Sequence, residues 1–318
     1  METDTGVGLE IIAAESLGVR GLCCKVNFAH RCIVIDPGVA LGYQRHGLLP
    51  HPLQVAIGEQ VRESIVAALE QATDVVFSHF HGDHVPLAEA NPYQLSIQDL
   101  PSRFQRLCVW SLSPEGSPPK MAKRFQDLKK LLGSNMQIAN GRCDGPLSFS
   151  QAVPHGKSDS RFGTVMMTRI DTGGTVFVHA SDIQLLDEQT VDTIIRWQPD
   201  IVLAAGPPLY LEQLSKEERR QAWNNALRLA DSVDTLIFDH HLLRSVDGLA
   251  WLADLSSAVG KRVYCAADFE GVNRKLFEAR RQELYQAMPV PNGWHEAYAK
   301  GEVNTSGFLK AVGQTLSH

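Results

Sequence analysis

Several things are scarce in this chain of 318 residues. Its six cysteines, Cys23, Cys24, Cys32, Cys108, Cys143 and Cys265, form no C-x-x-C pair. Compact zinc ribbons and dithiol redox motifs need that spacing, so neither is expected. The cysteines mostly fall in apolar, strand-like stretches and read as reduced thiols of a reducing compartment. No apolar run approaches the roughly 20 residues of a membrane span, which speaks against a membrane partner. The opening METDTGVGLE is acidic and polar, which is not the pattern of a secretory leader. A cytoplasmic protein is expected. Positive charge is in deficit, with 30 Lys and Arg against 36 Asp and Glu, net −6. Nucleic-acid binding rests on counterion release by basic surfaces, so a large polyanion is not the favoured partner. No repeat, low-complexity tract or linker divides the chain.

What is present is an alternation of elements. Hydrophobic residues make up 44% and charged residues 21%, as in an ordinary globular protein with a substantial core. LEIIAAE, GLCCKVNF and RCIVIDPG read as three consecutive strands near the start. Residues 56–72 carry Val61, Ile65, Ala68 and Leu69 at helical spacing. A strand at 74–78 follows. Further on, a basic helix is expected over 120–132 and strands near 147–152, 162–170 and 174–180. Helix 187–197 leads to strand 200–206. Ser215 and Glu218 form a capping box that opens a helix to about 231. Strand DTLIFDH, a helix over 245–258, strand RVYCAA and a long helix over 271–287 complete the pattern. One domain spanning 1–318, with layered sheets flanked by helices, fits best.

The densest chemistry lies in VVFSHFHGDHVPL, residues 75–87. His79 and His81 are two apart, so both can face one side of an extended segment. Asp83 and His84 fall in the next turn and can point to a neighbouring spot. That suits two adjacent metal ions better than one. Imidazole with carboxylate is a ligand set favoured by zinc, and also by manganese or iron. A surface loop rich in histidine by chance is the plain alternative. The complete H-x-H-x-D-H pattern at the end of a strand argues against it.

HFHGDH resembles the signature of the metallo-β-lactamase superfamily. The fold this implies is α/β, a four-layer αββα sandwich with a metal site at the sheet edges. Within the superfamily the chain is most similar to a branch of predicted metal-dependent hydrolases. That similarity runs on through GPPLYL (206–211), FDHHLLR (238–244) and LFEARRQELY (276–285), and so covers nearly the whole chain. The resemblance implies a third histidine, a bridging aspartate and a last histidine, each at a strand end. By context these are His155 in AVPHGKSDS, Asp182 in TVFVHASDIQ, and His240 or His241 in LIFDHHLLR. His240 is favoured, because in related hydrolases a basic residue, here Arg244, often trails the last ligand by four. Adjacent strand residues point to opposite faces, so only one of the pair is expected to face the metals easily. Asp36 in IVIDPG matches the superfamily's first acidic motif, which orients the metal loop from behind the ligands. His179, inside its strand, reads as packed or supporting.

The implied site holds one metal on His79, His81 and His155 and another on Asp83, His84 and His240. Asp182 and a hydroxide bridge them, with His241 beside the ligands. Asp83 and Asp182 are then the catalytic carboxylates. The cofactor is two divalent ions, zinc first and manganese or iron next. The reaction implied is hydrolysis by the bridging hydroxide on a small-molecule or small anionic substrate. A phosphodiester stands slightly ahead of a thioester or lactone, with an amide also open. A redox enzyme using iron, or a metal-binding regulatory module, is the alternative. Flavodiiron oxidoreductases of the superfamily carry Glu where this chain has His81, which disfavours the redox reading.

Weaker signals remain. Lys120, Lys123, Arg124, Lys129 and Lys130 read as a solvated helix face, or as a lid over an anion. GPPLYL reads equally as a pocket wall or as a simple strand end. Arg274, Arg280 and Arg281 read as helix-surface arginines, Asp268 as a helix-entry residue, and His46 and His51 as solvent-exposed.

Overall fold

The computed structural model describes residues 8–157 and 162–309. The first seven residues, which carry most of the leader argument, lie outside it. So does Ser158–Ser160, the tail of the segment quoted around His155.

Three antiparallel strands open the chain: β1 (Gly8–Ala13), β2 (Cys23–Phe28) and β3 (Arg31–Ile35). Helix α1 (Pro52–Gln71) then crosses over to β4 (Asp74–Phe77), which pairs parallel with β3. Pro52 starts α1, where its missing N–H costs nothing, and His51 caps it by accepting from the Leu53 amide at 3.1 Å. Strand β5 (Cys108–Ser111), helix α2 (Pro119–Leu132) and strand β6 (Met136–Ile138) complete a mixed six-stranded sheet ordered β1-β2-β3-β4-β5-β6.

The second half repeats the plan. Strands β7 (Cys143–Asp144) and β8 (Leu147–Phe149) are followed by a small ribbon, β9 (Val153–Pro154) with β10 (Thr164–Val165). Then come β11 (Thr168–Asp171), β12 (Val176–Ser181), helix α3 (Glu188–Arg196), β13 (Ile201–Ala204), helix α4 (Lys216–Ser232), β14 (Thr235–Phe238) and helix α5 (Asp247–Val259). Their sheet is ordered β14-β13-β12-β11-β8-β7.

Alternation along the strands explains the layering. Phe177, Leu203 and Ile237 point inward and join one core with Ile33, Val75 and Phe77 of the first sheet, α1 and α2. Val178, Val202, Leu236 and Phe238 point the other way, into a second core with α3, α4 and α5. The strands are buried on both faces, as parallel strands flanked by helices must be. Each such side chain contributes about 1.5–3 kcal/mol by leaving water. The result is helix, sheet, sheet, helix: the αββα sandwich that the resemblance implied.

Two expected elements are absent. Residues 262–267 make only a single bridge, Ile237 to Tyr264, before the short helix α6 (Ala266–Phe269). Asp239 takes the Ala266 amide at 2.9 Å, and that capture starts a helix where the composition reads as strand. The long helix over 271–287 shrinks to α7 (Arg281–Ala287), followed by α8 (Trp294–Ala299). The stretch before α7 is held elsewhere: the Lys275 amide donates to Ser16 at 2.7 Å. Two residues read as exposed are buried. His51 bonds the Met288 carbonyl at 2.8 Å, and Arg281 is enclosed beside Glu278 at 2.6 Å. Cys143 is the exposed exception among the thiols.

Candidate metal centre

Strands β4 and β12 come from different sheets, and a buried polar chain ties their ends together. Asp36 follows β3 in the left-handed conformation, φ 48°, which aspartate tolerates better than most residues. Its carboxylate accepts the Ser78 amide at 2.8 Å and the Ser78 hydroxyl at 2.5 Å. The Ser181 hydroxyl reaches the same carboxylate at 3.2 Å and Ser78 Oγ at 2.6 Å. Ser181 is itself left-handed, φ 54°, at a register shift between β12 and β13. That shift breaks the strand alternation immediately before Asp182.

The candidate ligands converge there. His79 Nε2 lies 3.0 Å from His81 Nδ1 and 3.6 Å from Asp182 Oδ2. His155 Nε2 lies 3.1 Å from the same oxygen. On the other side His84 Nε2 is 3.3 Å from His240 Nε2 and 3.2 Å from Asp182 Oδ1. Asp83 Oδ2 is 3.4 Å from His240 Nε2. Two groups of donors therefore share Asp182, one oxygen to each. Ligands held at 2.0–2.2 Å by a tetrahedral cation stand about 3.3–3.6 Å apart, and the separations here, 3.0–3.6 Å in the first group and 3.2–3.4 Å in the second, lie close to that spacing. Asp182 Oδ1 is buried without a hydrogen-bond partner among the described residues. A buried carboxylate oxygen with little but His84 Nε2, 3.2 Å away, to meet it is costly unless positive charge stands beside it. The residues fit divalent metal.

Supporting contacts orient the rings. His79 Nδ1 meets Ser78 Oγ at 2.9 Å, and His84 Nδ1 meets Asp36 at 2.9 Å. Gln184 stands 3.4 Å from His155 Nδ1. Such partners fix which nitrogen is left to face a metal.

Electrostatics point the same way. Burial, reinforced by neighbouring imidazoles, holds His79 well below the usual histidine range and His81 at about 3. Burial and the nearby Arg244 charge hold His240 low and His241 at about 4. These rings are neutral and offer lone pairs. Burial opposes ionisation of Asp83 and Asp182, yet the surrounding basic groups win and hold both carboxyls far below their usual range. His84 behaves oppositely. Burial disfavours its proton, but Asp182 and Asp36 raise its pKa well above normal. The space between those carboxylates attracts positive charge.

The alternation argument for the last histidine does not apply. β14 ends at Phe238, and a short helical turn begins at Leu242, so His240 and His241 lie past the strand. Both reach Asp182: His241 Nε2 at 3.0 Å from Oδ2, His240 Nε2 at 3.7 Å from Oδ1. His179 is packed, with Nε2 2.9 Å from the Leu22 carbonyl. In the basic helix, Lys123 is paired with Glu89 and Asp127, while Arg124 reaches the metal loop at the Phe80 carbonyl, 3.0 Å away. Arg274 is tied to Asp268 at 2.8 Å. Tyr210 and Leu211 of GPPLYL line the cavity over the centre, so that segment is wall as well as strand end. Sequence reasoning missed Glu15, Arg20, Ser78, Ser181 and Gln184. Ser78, Ser181 and Gln184 lie beside His79 and Asp182 in sequence but carry no motif of their own, while Glu15 and Arg20 are recruited across the fold.

Layer order and the histidine–aspartate centre at the strand ends define a protein of the metallo-β-lactamase fold. No protein-family model matches the sequence. Over 301 residues the chain is 47% identical to a UPF0282 protein of Methanosarcina mazei, covering 95% of this chain and 99% of that one. A UPF0282 protein of Pyrococcus abyssi is 33% identical over 285 residues, 86% and 91% of the two chains. The chain belongs to the UPF0282 family. Among solved structures it resembles the metallo-beta-lactamase fold protein YhfI from Bacillus subtilis, 12% identical, over 81% of this chain and 95% of that one, TM-score 0.48. Tm1679, described as a metal-dependent hydrolase of the beta-lactamase superfamily, is also 12% identical, over 81% and 94%, TM-score 0.49.

Proposed function

We propose that this protein is a dinuclear metal-dependent hydrolase of a small anionic substrate, with a phosphodiester ahead of a thioester or lactone. The observation that supports the reading is the set of overlapping donor groups: His79, His81, His155 and Asp182; Asp83, His84 and His240; and Asp182, His240 and His241, with Asp182 Oδ2 near His79 and Oδ1 near His84. His79, His81 and His155 would hold one ion, and Asp83, His84 and His240 the other. Divalent cations there would polarise the scissile bond and lower the pKa of bound water. The chain's own part is to keep His79, His81 and His240 neutral, the carboxylates charged and the loop fixed through Asp36. Zinc is the proposed metal, by the nitrogen-rich donor set. A cytoplasmic location is proposed with it, in keeping with six free cysteines.

Elemental analysis followed by a panel of aryl phosphodiesters, esters, thioesters and lactones tests this. The expected result is close to two ions per chain and metal-dependent turnover of the phosphodiester. Trace metal even after reconstitution, or a fully loaded protein that cleaves nothing on the panel, would overturn it.

A further inference from the structure

A cavity of about 240 Å³ opens over the donor cluster. Its floor includes His81, Asp83, His155 and Asp182, and its wall includes Tyr210 and Leu211. Arg20 and Arg244 also line it, and neither belongs to the ligand set. The cavity admits a small molecule rather than a folded polymer.

The two arginines belong to a group with unbalanced charge. Arg20, Arg45, Arg244 and Arg281 surround two carboxylates, Glu15 and Glu278, with a third, Asp83, at the edge of the group. Arg281 and Arg20 each hold Glu278 at 2.6 Å, and Arg45 stands 3.8 Å from it. Arg244 holds Glu15 at 2.9 Å, with Arg20 3.9 Å from the same oxygen. Asp83 also approaches Arg244, at 3.3 Å, but its carboxylate faces His240 as well and lies within the donor cluster. Four guanidinium groups against three carboxylates, one of them shared with the donor cluster, leave positive charge in excess. Enclosed charge of one sign is costly unless a partner arrives.

The two cavity arginines are also fixed in place. Arg20 is held by a reciprocal backbone pair with Ala40, 3.0 Å each way. Among the described residues its side chain makes one hydrogen bond, from a single terminal nitrogen to Glu278. About a quarter of the side chain remains open to solvent. Arg244 is locked by Glu15 and by the Tyr210 hydroxyl at 3.3 Å. Its remaining terminal nitrogen stands 2.6 Å from His240 Nε2, at the edge of the donor cluster. Tyr210 is in turn flanked by Arg45, 5.5 Å from its ring centre. Rigid guanidinium forks of this kind suit the oxygens of phosphate and carboxylate.

We propose that Arg20 and Arg244 form an oxyanion subsite, which seats a phosphate or carboxylate group of the substrate beside the metal centre. This rests on the hydrolase reading, in which the donor cluster is the reacting end of the same cavity. It makes the substrate a small molecule with an anionic group next to the bond that is cut, with an apolar portion against Leu211.

The test is calorimetric titration of inorganic phosphate, and separately of acetate, into the metal-loaded protein. Arg20→Gln is expected to weaken the bound oxyanion about tenfold or more, the loss of one charged hydrogen-bonding partner, with metal content unchanged. Arg20→Lys keeps the charge on Glu278 but loses the fork, and should weaken binding by a smaller factor. It decides the matter if the Gln variant fails to fold. Arg20-dependent binding of phosphate alone identifies a phosphoryl substrate, and of acetate alone a carboxylate. If both variants bind both anions as the wild type does, the subsite is overturned. A protein that cleaves no ester can still be titrated, so failure of the hydrolase reading and failure of the subsite are separate results.

Discussion

At the residue scale, Asp182 is the side chain on which the most contacts converge. It touches His79, His84, His155, His240 and His241 within 3.7 Å. Asp182→Ala should cut metal content below half of the wild-type value while the circular dichroism spectrum stays native. If Asp182 holds the ions, removing it costs binding more than folding, because the histidines around it remain in place. Unchanged metal content would reduce Asp182 to a structural residue. The histidine pair gives a sharper contrast. His240 sits among Asp83, His84 and Asp182, whereas His241 faces Asp182 and the His155 ring, 5.4 Å away. His240→Ala should lose one ion of two, and His241→Ala should keep both. Elemental analysis of the two variants decides, and the reverse pattern would shift the ligand by one position without touching the other donors.

The residue scale is also where the sequence was most legible. H-x-H-x-D-H lies within six consecutive positions, so local geometry alone nearly assembles its half of the centre. His155 and Asp182 were readable because the resemblance implies ligands at strand ends and each of these follows a strand-like run. Arg20 and Glu15 were not. They sit in a connection between strands with no signature, and reach the site only because the sheets face each other. His240 and His241 could not be separated by alternation, since the strand stops two residues earlier than DTLIFDH suggests.

At the scale of elements, the loop after β3 is built around a close approach. A Cβ on Gly38 would fall 2.1 Å from the Val85 nitrogen and 2.3 Å from the His84 carbonyl carbon. Both are backbone atoms, so no side chain can swing aside. The Asp36–Gly38 turn thus presses against the metal loop and fixes where His84 stands. Gly38→Ala should destabilise the protein by about 3 kcal/mol, the upper range for overpacking, and lower its metal content as well. Gly174→Ala, where a Cβ meets nothing within 4 Å, is the control and should be nearly neutral. Urea denaturation of both variants is the measurement; equal midpoints would mean that the turn yields. The same scale explains the two elements misread from sequence. RVYCAA has strand composition, and 271–287 has helical spacing, but tertiary hydrogen bonds to Asp239 and Ser16 take their backbones first. Propensity is a weak prior where such partners exist.

At the scale of the whole molecule, the C-terminal segment closes back over the first half of the chain. Met288 meets His51, and His295 bridges Tyr93 and Tyr285 at 2.9 and 3.1 Å. Tyr298 and Thr305 both bond Glu59. Glu278 is the charged member of this closure, joined to Arg20, Gln54 on α1 and Arg281. Burial works against its ionisation, but the Arg20 and Arg281 charges outweigh that and bring its pKa from 4.5 to about 2. A carboxyl depressed on folding stabilises the folded state fully above its unfolded pKa and loses that contribution as pH falls through its folded value. The window is therefore about pH 4.5 down to 2, and the contribution is roughly 3 kcal/mol at neutral pH. Glu278→Gln should be less stable than the wild type at pH 7, and the gap should narrow as pH falls through that window. Comparing urea midpoints of the two proteins at each pH cancels any acid effect that both share. A gap that stays constant with pH would show that Glu278 holds the closure by shape alone, and that its charge contributes nothing to joining the chain's end to its beginning.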